Sequence, residues 1–330
     1  MNVNELIINK IQEEIPSHIK LVNYLMNELS IGKESAYRRI RNQIPFSVDE
    51  IIKLSNNLGF SIDEIFGLNK EKRVYIDIKG STFQNPVDTF INLLTTYREY
   101  VKVLQKSEGA EAITATNQVQ FFLIMDSEYL FKFFYYKWIH QIHEVTPNLK
   151  LSEITIPDEV ISLKNEIRYG LRQLKGINAI YIWDQNIFFN TVKEIRYYYK
   201  RKLISENELN LIRDDFNKVI NDLEELARKG TDDANNRFYF YLSILNLESN
   251  CAHYSKGNIS QVYFSLYSIL PMHIEDPNVC FMVKRWLDSL KKYSTLITQC
   301  NEFVQVKFFN KQREYLNEIE NYSFFKFFEE

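Results

Sequence analysis

Residues 21–42 contain two runs in which apolar side chains recur at every third or fourth position, the period of one helix face. The first run covers 21–29 and the second covers 33–40, with a break of three residues between them. Two short amphipathic helices joined by such a turn are typical of a helix-turn-helix. The positions predicted to point inward are Leu21, Val22, Leu25, Met26, Leu29, Ala36 and Ile40.

The turn and the start of the second helix carry a resemblance to a known class of regulator. Ala36 is small where two tightly crossed helices leave little room, and Ile31 supplies the apolar side chain of the turn. With these features, residues 1–68 resemble the DNA-binding unit of Xre-type and other lambda-repressor-like bacterial regulators. The pattern differs at Ser30, where Gly is usual, and at Gly32, where a Ser or Thr cap is commoner. We therefore expect Ser30 to adopt a left-handed backbone conformation.

The second helix has a composition suited to contact with DNA. From Lys33 to Asn42 the chain carries four basic residues against one acid. The second helix of a helix-turn-helix lies in the major groove, with its N-terminal residues nearest the base edges. The direction of Arg39 stays open, because it lies beside the inward Ile40. Base contacts are predicted for Lys33, Glu34, Tyr37 and Arg38, backbone contacts for Ser35, Arg41 and Gln43, and either kind for Asn42.

Two further sequence signals predict that a small bundle surrounds these helices. Ser47 with Glu50, and Ser61 with Glu64, have the spacing of a capping box, so each pair predicts the start of a helix. Together with a first helix over 4–15, they give a bundle of five helices. The predicted core is Leu6, Leu21, Leu25, Leu29, Ile31, Ala36, Ile40, Ile51, Leu54, Leu58, Ile62 and Ile65.

A larger second domain is predicted over 83–330, after a polar linker or extended arm at 69–82 that includes a short strand at 74–78. The first helix of this domain, 86–107, has apolar residues with alternating spacings of three and four. This spacing fits a dimer seam, and it fits an ordinary core helix equally well. The residues concerned are Val87, Phe90, Leu94, Tyr97, Val101 and Leu104.

The remainder of the chain is rich in aromatic residues and poor in Gly and Pro. Gly and Pro total far less than their usual share of about 12 per cent, which favours helices over tight turns. Residues 237–270 are an exception, because β-branched and aromatic side chains there flank the turn signature SKGN. This favours a β-hairpin, although imperfect alternation leaves a helical alternative open. Helices are predicted over 117–143, 157–175, 184–201 and 205–229, and from 276 onward.

These patterns predict a mainly α fold. It consists of an N-terminal five-helix, lambda-repressor-like helix-turn-helix bundle at 1–68 and a larger, mostly helical domain with a possible β-hairpin at 83–330. Residues 1–80 carry 11 Lys and Arg against 11 Asp and Glu, so the positive charge of the first domain is local to its second helix. Strong non-specific DNA binding is therefore not expected, because that affinity scales with the number of phosphates neutralised.

The sequence gives little indication of catalysis or of a metal site. Phosphate-binding, dinucleotide-binding, metalloprotease and hydrolase motifs do not occur, so we expect no enzyme activity and no cofactor. His140 and His143 have a spacing that could hold a metal, with Glu144 beside them. No third ligand follows in a recognised arrangement, so we interpret them as surface or capping histidines. The three cysteines are widely spaced and odd in number, as free thiols in a reducing cytoplasm would be.

Taken together, these observations predict a cytoplasmic, sequence-specific regulator that binds double-stranded DNA as a homodimer. No apolar run approaches the ~20 residues of a membrane helix, and the N-terminus does not resemble a signal peptide. The large aromatic domain would serve dimerisation, the sensing of a small-molecule or protein effector, or both. Two alternatives stay open: a protein-docking role for the N-terminal bundle, and an enzyme without recognised motifs in the second domain.

Overall fold

The computed structural model of the chain describes residues 3–16, 19–60, 62, 65, 85–105, 109–142, 148–247, 250–266, 270–300 and 302–320. The chain divides into two units, Met1–Tyr75 and Ile76–Glu330, and each is described by itself. The predicted capping box of Ser61 and Glu64, the arm at 69–82 with its strand at 74–78, and His143 lie outside the described residues.

The first unit contains α1 (Val3–Glu14), α2 (Leu21–Leu29), α3 (Lys33–Ile40) and α4 (Val48–Leu58). Ser30 ends α2 with φ of 53°, which confirms the left-handed turn expected at this position. The capping box at the start of α4 is also confirmed. The Ser47 hydroxyl accepts a hydrogen bond from the Glu50 backbone N–H, and the Glu50 carboxylate accepts one from the Ser47 N–H.

The core of the first unit is mainly aliphatic. Leu25 and Leu54 are fully buried, and Ala36 is buried where α3 lies close to its neighbours, as the pattern predicts. The expectation for α1 was wrong. Leu6 lies outside the buried cluster, and α1 instead packs through the neighbouring positions of the same helix turn. The buried residues that the pattern did not predict are Ile7, Ile8, Ile11, Ile15, Phe46 and Phe60.

The described residues of the second unit form seven α-helices and a seven-stranded mixed sheet. The strand order is β6-β5-β4-β1-β2-β3-β7, in which β1, β2 and β3 are parallel neighbours and every other pairing is antiparallel. The strands are β1 (Glu111–Thr116), β2 (Asn178–Asp184), β3 (Arg237–Ser243), β4 (Cys251–Lys256), β5 (Ile259–Leu266), β6 (Leu270–Ile274) and β7 (Ser294–Leu296). The helices are α5 (Pro86–Gln105), α6 (Tyr129–Ile142), α7 (Asp158–Arg172), α8 (Ile187–Lys200), α9 (Glu206–Lys229), α10 (Pro277–Lys292) and α11 (Glu302–Asn317).

This sheet shows that the predicted mainly α fold class was wrong. The hairpin predicted around SKGN does exist, because β4 and β5 pair across Gly257 and Asn258. The strand that precedes the turn is β4, however, whereas β3 pairs in parallel with β2. The parallel strands β1 and β2 were not predicted, because each is covered on both faces. Such strands lack the alternation of apolar and polar residues that marks a half-exposed strand.

Helices cover both faces of the sheet. The aromatic core lies on one face, between the sheet and α5, α6, α8, α9 and α11, and it includes the fully buried Trp183, Phe188 and Phe240. A smaller aliphatic cluster on the opposite face packs under α10 through Leu287 and Leu290. The apolar positions of α5 face this interior, so α5 is a core helix and its 3,4 spacing does not form a dimer seam.

The starts of two predicted helices also differ from expectation. Asp184 was predicted to cap a helix, but it is the last residue of β2. Its carboxylate accepts a hydrogen bond from the Asn186 N–H at 2.7 Å, and α8 begins only at Ile187. The aromatic run from 117 first forms a short 3-10 helix, Phe121–Ile124, and then continues as α6. No helix among the described residues is long and apolar enough to cross a membrane.

Candidate functional site

The outer face of α3 presents the residues that the sequence singled out for DNA contact. Lys33, Glu34 and Arg38 are exposed on the helix, and Arg41 and Gln43 are exposed in the segment that follows it. Lys33, Tyr37 and Arg41 succeed one another at intervals of four residues, and so do Glu34 and Arg38. These side chains therefore share one face of the helix. The remaining predicted contacts, Ser35, Tyr37 and Asn42, are half-buried.

Arg39 belongs to the interior and not to this face. Its guanidinium donates to both carboxylate oxygens of Glu50, at 2.6 and 3.2 Å, and to the Ser35 carbonyl at 3.3 Å. The ion pair connects α3 to the capping box of α4, and both side chains are largely shielded from water. Arg39 therefore positions the helix, and its charge is neutralised within the unit.

The end of α3 is anchored to α1 by two asparagines. Asn4 is buried, its amide donates to the Arg39 carbonyl at 3.0 Å, and its side-chain oxygen accepts from the Phe46 N–H at 3.0 Å. Asn42 has φ of 63°, and its amide donates to Glu5 at 3.2 Å. Asn42 thus supports the turn after α3, whereas the sequence had suggested that it faces DNA. The pattern gave no signal for Asn4.

The Arg41 guanidinium lies over the ring of Tyr37, 5.5 Å from its centroid. This cation-π contact restricts an otherwise long and mobile side chain next to the exposed Arg38. The result is a surface with Lys33 and Arg38 on α3 and Arg41 directly after it, all three exposed.

A second candidate site is an interior cavity in the second unit, above the middle of the sheet. Its floor consists of two rows of side chains that cross adjacent strands in register. Ala112, Ala179 and Phe238 form one row, and Thr114, Tyr181 and Phe240 form the next. Ala112 and Ala179 of the first row and Thr114 of the second are small, and they leave space that larger side chains would fill. Ala112, Thr114 and Ala179 stay partly accessible even though Ile113 and Ala115, on the other face, are fully buried.

Helices form the roof of the cavity. α5 contributes Tyr97 and Tyr100, while α7 and α9 contribute aliphatic side chains. α5 and α7 approach each other closely at Gly170, where an added Cβ would lie 2.6 Å from a methyl carbon of Val101. The space forms two adjoining chambers of about 380 and 120 Å³. The larger lies within the roughly 300–1,000 Å³ that is typical of ligand pockets.

The polar groups that line the smaller chamber, and the tyrosines of the larger one, are neutral and only partly engaged with the protein. Burial raises the pKa of Tyr97 to about 12, and it also raises the pKa values of Tyr100 and Tyr181. All three hydroxyls therefore stay protonated at neutral pH. Gln120 lines the smaller chamber, and among the described residues neither atom of its side-chain amide has a hydrogen-bond partner. The buried hydroxyl of the neighbouring Tyr254 likewise has none in that part of the chain.

The charged side chains that line the larger chamber are all at least partly exposed; they are Asp126, Arg168, Arg172, Asp222 and Asp232. Asp126 pairs with Arg172 at 2.5 Å, Arg168 lies 3.9 Å from the same carboxylate, and all three side chains are at least 40 per cent exposed. Cys251 borders the smaller chamber, but its side chain belongs to the buried cluster on the opposite face of the sheet. Burial raises the pKa of its thiol to about 12, so the thiol stays protonated at neutral pH.

No group of three or more His, Cys, Asp or Glu side chains in the described ranges could hold a metal ion. His140 lies against the rings of Tyr136 and Tyr198, at centroid distances of 5.6 and 5.3 Å. The imidazole is therefore part of an aromatic cluster at the side of α6.

Comparisons with known proteins found no protein-family model, no curated protein and no solved structure that matches this chain. Assignments of function therefore depend on the geometry and chemistry of the two sites.

Proposed function

We propose that the protein is a sequence-specific DNA-binding regulator of transcription that reads double-stranded DNA through α3. The observation that carries this proposal is the outer face of α3, the second of two helices joined by a short turn. Lys33, Glu34 and Arg38 are exposed on this face, and the exposed Arg41 follows it. A helix of eight residues on a firmly anchored turn fits the major groove, and Arg side chains bind guanine edges through two hydrogen bonds.

The internal contacts support this assignment. Arg39, the one arginine of α3 that faces the core, is neutralised by Glu50, whereas Arg38 is exposed. A helix that served only as part of a bundle would not require a cluster of outward cations next to its turn. The alternative of a protein-docking surface would be favoured by a neutral or apolar outer face, and this face is basic.

The proposal includes a homodimer on DNA. A single helix-turn-helix contacts a short half-site, and dimers reach useful specificity by binding two half-sites about 34 Å apart. Because α5 is a core helix, self-association would use other surfaces of the second unit. The cavity in that unit favours a sensing role for it, so that the protein would respond to a small molecule.

The first prediction tests this DNA readout. After selection of bound fragments from random duplex DNA, Arg38→Ala is expected to cost about 1–3 kcal/mol on the preferred site, because a base contact is lost. Arg41→Ala is expected to weaken binding to all sequences and to reduce the slope of log affinity against log salt by about 1. Titrations at several salt concentrations measure both effects, and light scattering of the complex gives the number of chains bound.

Arg228→Ala is the matched control, because it removes the same charge from an exposed position outside the first unit. We expect it to leave the affinity unchanged. Equal affinity of the wild type and of the Arg38/Arg41 double variant for the selected DNA would refute the proposal. A complex that contains a single chain would refute the dimer alone.

A further inference from the structure

We propose that the cavity of the second unit binds a neutral, planar, fused-ring aromatic molecule that bears hydroxyl or carbonyl groups. The inference extends the sensing part of the proposed function by naming a ligand class. It depends on the shape of the cavity, its aromatic walls, and the neutral polar groups that face it.

The planar shape follows from the walls. Tyr181 and Phe240 lie side by side on the floor with their rings stacked at 5.1 Å, and Phe122 lies 6.2 Å from Tyr181. Tyr97 and Tyr100 close the space from α5. A cavity with aromatic walls favours a planar ligand, because such a ligand makes stacking and edge contacts with several rings.

The size follows from the floor. Ala112 and Ala179 are direct partners in the register of β1 and β2, and Thr114 is the neighbour of Tyr181 in the next row. Ala112 and Ala179 lie between Tyr254 and Phe238 in their row, so they leave free space above the two central strands. A larger chamber of about 380 Å³ exceeds what a single benzene ring occupies, and a fused-ring molecule would fill it better.

The neutral charge follows from the polar groups. Tyr97, Tyr100 and Tyr181 are protonated donors, and Gln120 offers both a donor and an acceptor. Five charged side chains line the larger chamber. Asp126, Arg168 and Arg172 are engaged with one another, the Asp232 carboxylate accepts hydrogen bonds from Asn236, and Asp222 is exposed to water. An ion placed beside the tyrosines would lose its hydration without gaining an opposite charge.

The experiment compares three probes of similar outline on the full-length chain without DNA: naphthol, naphthalene and naphthoate. Titration calorimetry is expected to show saturable binding of naphthol. Naphthalene is expected to bind about 3–10-fold more weakly, since it lacks a hydrogen-bonding group. Naphthoate, which is an anion at neutral pH, is expected to bind at least about tenfold more weakly than naphthol.

Substitutions locate the site. Ala179→Leu is expected to abolish naphthol binding because the leucine side chain fills the cavity. If this variant does not fold, Ala112→Leu on the paired strand β1 replaces it and is expected to have the same effect. Tyr100→Phe keeps the ring but removes a hydroxyl, so a loss of a few fold in affinity is expected. The matched control is Tyr239→Phe, which makes the same change on the opposite face of the sheet and is expected to bind normally. Tryptophan fluorescence confirms that each variant is folded.

Failure of all neutral probes to bind would overturn the proposal, and so would naphthol binding that survives filling of the cavity in a folded variant. Naphthoate binding as tight as naphthol would overturn the assigned charge. No DNA is present in these titrations. A negative result here therefore leaves the DNA-binding proposal unaffected, and a failure of DNA binding leaves this inference unaffected.

Discussion

The two units fill their interiors with different kinds of side chain. The first unit packs mainly isoleucine and leucine around Ala36, whereas the second packs tyrosine, phenylalanine and tryptophan against a sheet with alanines at its centre. Aliphatic side chains bend into irregular gaps through their rotamers. Rings are rigid planes, and beside small residues such as Ala112 and Ala179 they leave a gap of the size of another ring.

The two units also differ in where their polar groups lie. In the first unit Lys33, Arg38 and Arg41 are charged and face water, so a partner must come to the surface. In the second, Tyr100, Tyr181 and Gln120 are neutral and face an interior space, so a partner must enter it. A surface of this kind suits a long, charged polymer, and an interior of this kind suits a small molecule.

The largest expected effect comes from emptying either core. Leu25→Ala is expected to destabilise the first unit by about 2–5 kcal/mol and to abolish DNA binding, while Phe240→Ala is expected to cost the second unit about 3–5 kcal/mol. The three tryptophans, Trp138, Trp183 and Trp286, all lie in the second unit. Urea unfolding followed by tryptophan fluorescence therefore reports on that unit, and circular dichroism reports on both.

Each variant is the control for the other. Leu25→Ala is expected to leave the fluorescence transition and naphthol binding unchanged, and Phe240→Ala is expected to shift that transition to lower urea. If Leu25→Ala moved the tryptophan transition as far as Phe240→Ala does, the two cores would form one cooperative unit and the contrast drawn between them would be wrong.

The first unit could be predicted in detail because its signals are local. The inward positions of α2 and α3, the left-handed Ser30 and the box of Ser47 and Glu50 each depend on residues at most four positions apart. Arg39 marks the limit of such reasoning. Its partner Glu50 lies 11 positions away, so the helix period left its direction open.

The cavity could not be predicted, because its parts come together only through the sheet. Tyr97, Thr114, Tyr181 and Phe240 belong to four separate elements, and their proximity depends on the parallel pairing of β1, β2 and β3. A strand that is covered on both faces gives no alternating signal, so β2 was not recognised. The spacing of Tyr97 in α5 did suggest an inward direction, but it could not distinguish a cavity wall from a filled core.

A change of pH is expected to have an intermediate effect on the stability of the second unit, because a buried histidine there is neutral. His253 is buried on β4, with Nε2 2.9 Å from the Ser260 hydroxyl, and burial lowers its pKa, with a further contribution from Lys284. Lys284 itself pairs with Glu111 and Asp288, whose charges act on His253 in the opposite sense. As the pH falls, the unfolded chain therefore takes up the proton before the folded one does.

The stability that His253 contributes is fully present above its unfolded pKa of about 6.5 and is lost as the pH falls towards the lower folded value. The loss is at most about 1.4 kcal/mol per pH unit. Urea unfolding by fluorescence between about pH 7.5 and 5.5 measures it. We expect His253→Gln to reduce the slope of the unfolding free energy against pH in this range. Equal slopes for the wild type and the variant would show that His253 is not the group responsible.

The smallest expected effect lies in the turn of the first unit. Ser30 is exposed and holds φ of 53°, a conformation that costs a residue with a side chain roughly 1–2 kcal/mol and costs glycine almost nothing. Glycine loses more entropy on folding, by roughly 0.5–1 kcal/mol, so the two effects nearly cancel. Ser30→Gly is therefore expected to raise the stability of the first unit by less than about 1 kcal/mol and to preserve DNA binding.

Ser30→Val, whose branched side chain is poorly suited to this φ, is expected to lower both the stability of the first unit and its DNA binding. Unfolding by circular dichroism measures the change. If Gly destabilised the unit as much as Val does, the left-handed turn would not be the feature that sets the angle between α2 and α3.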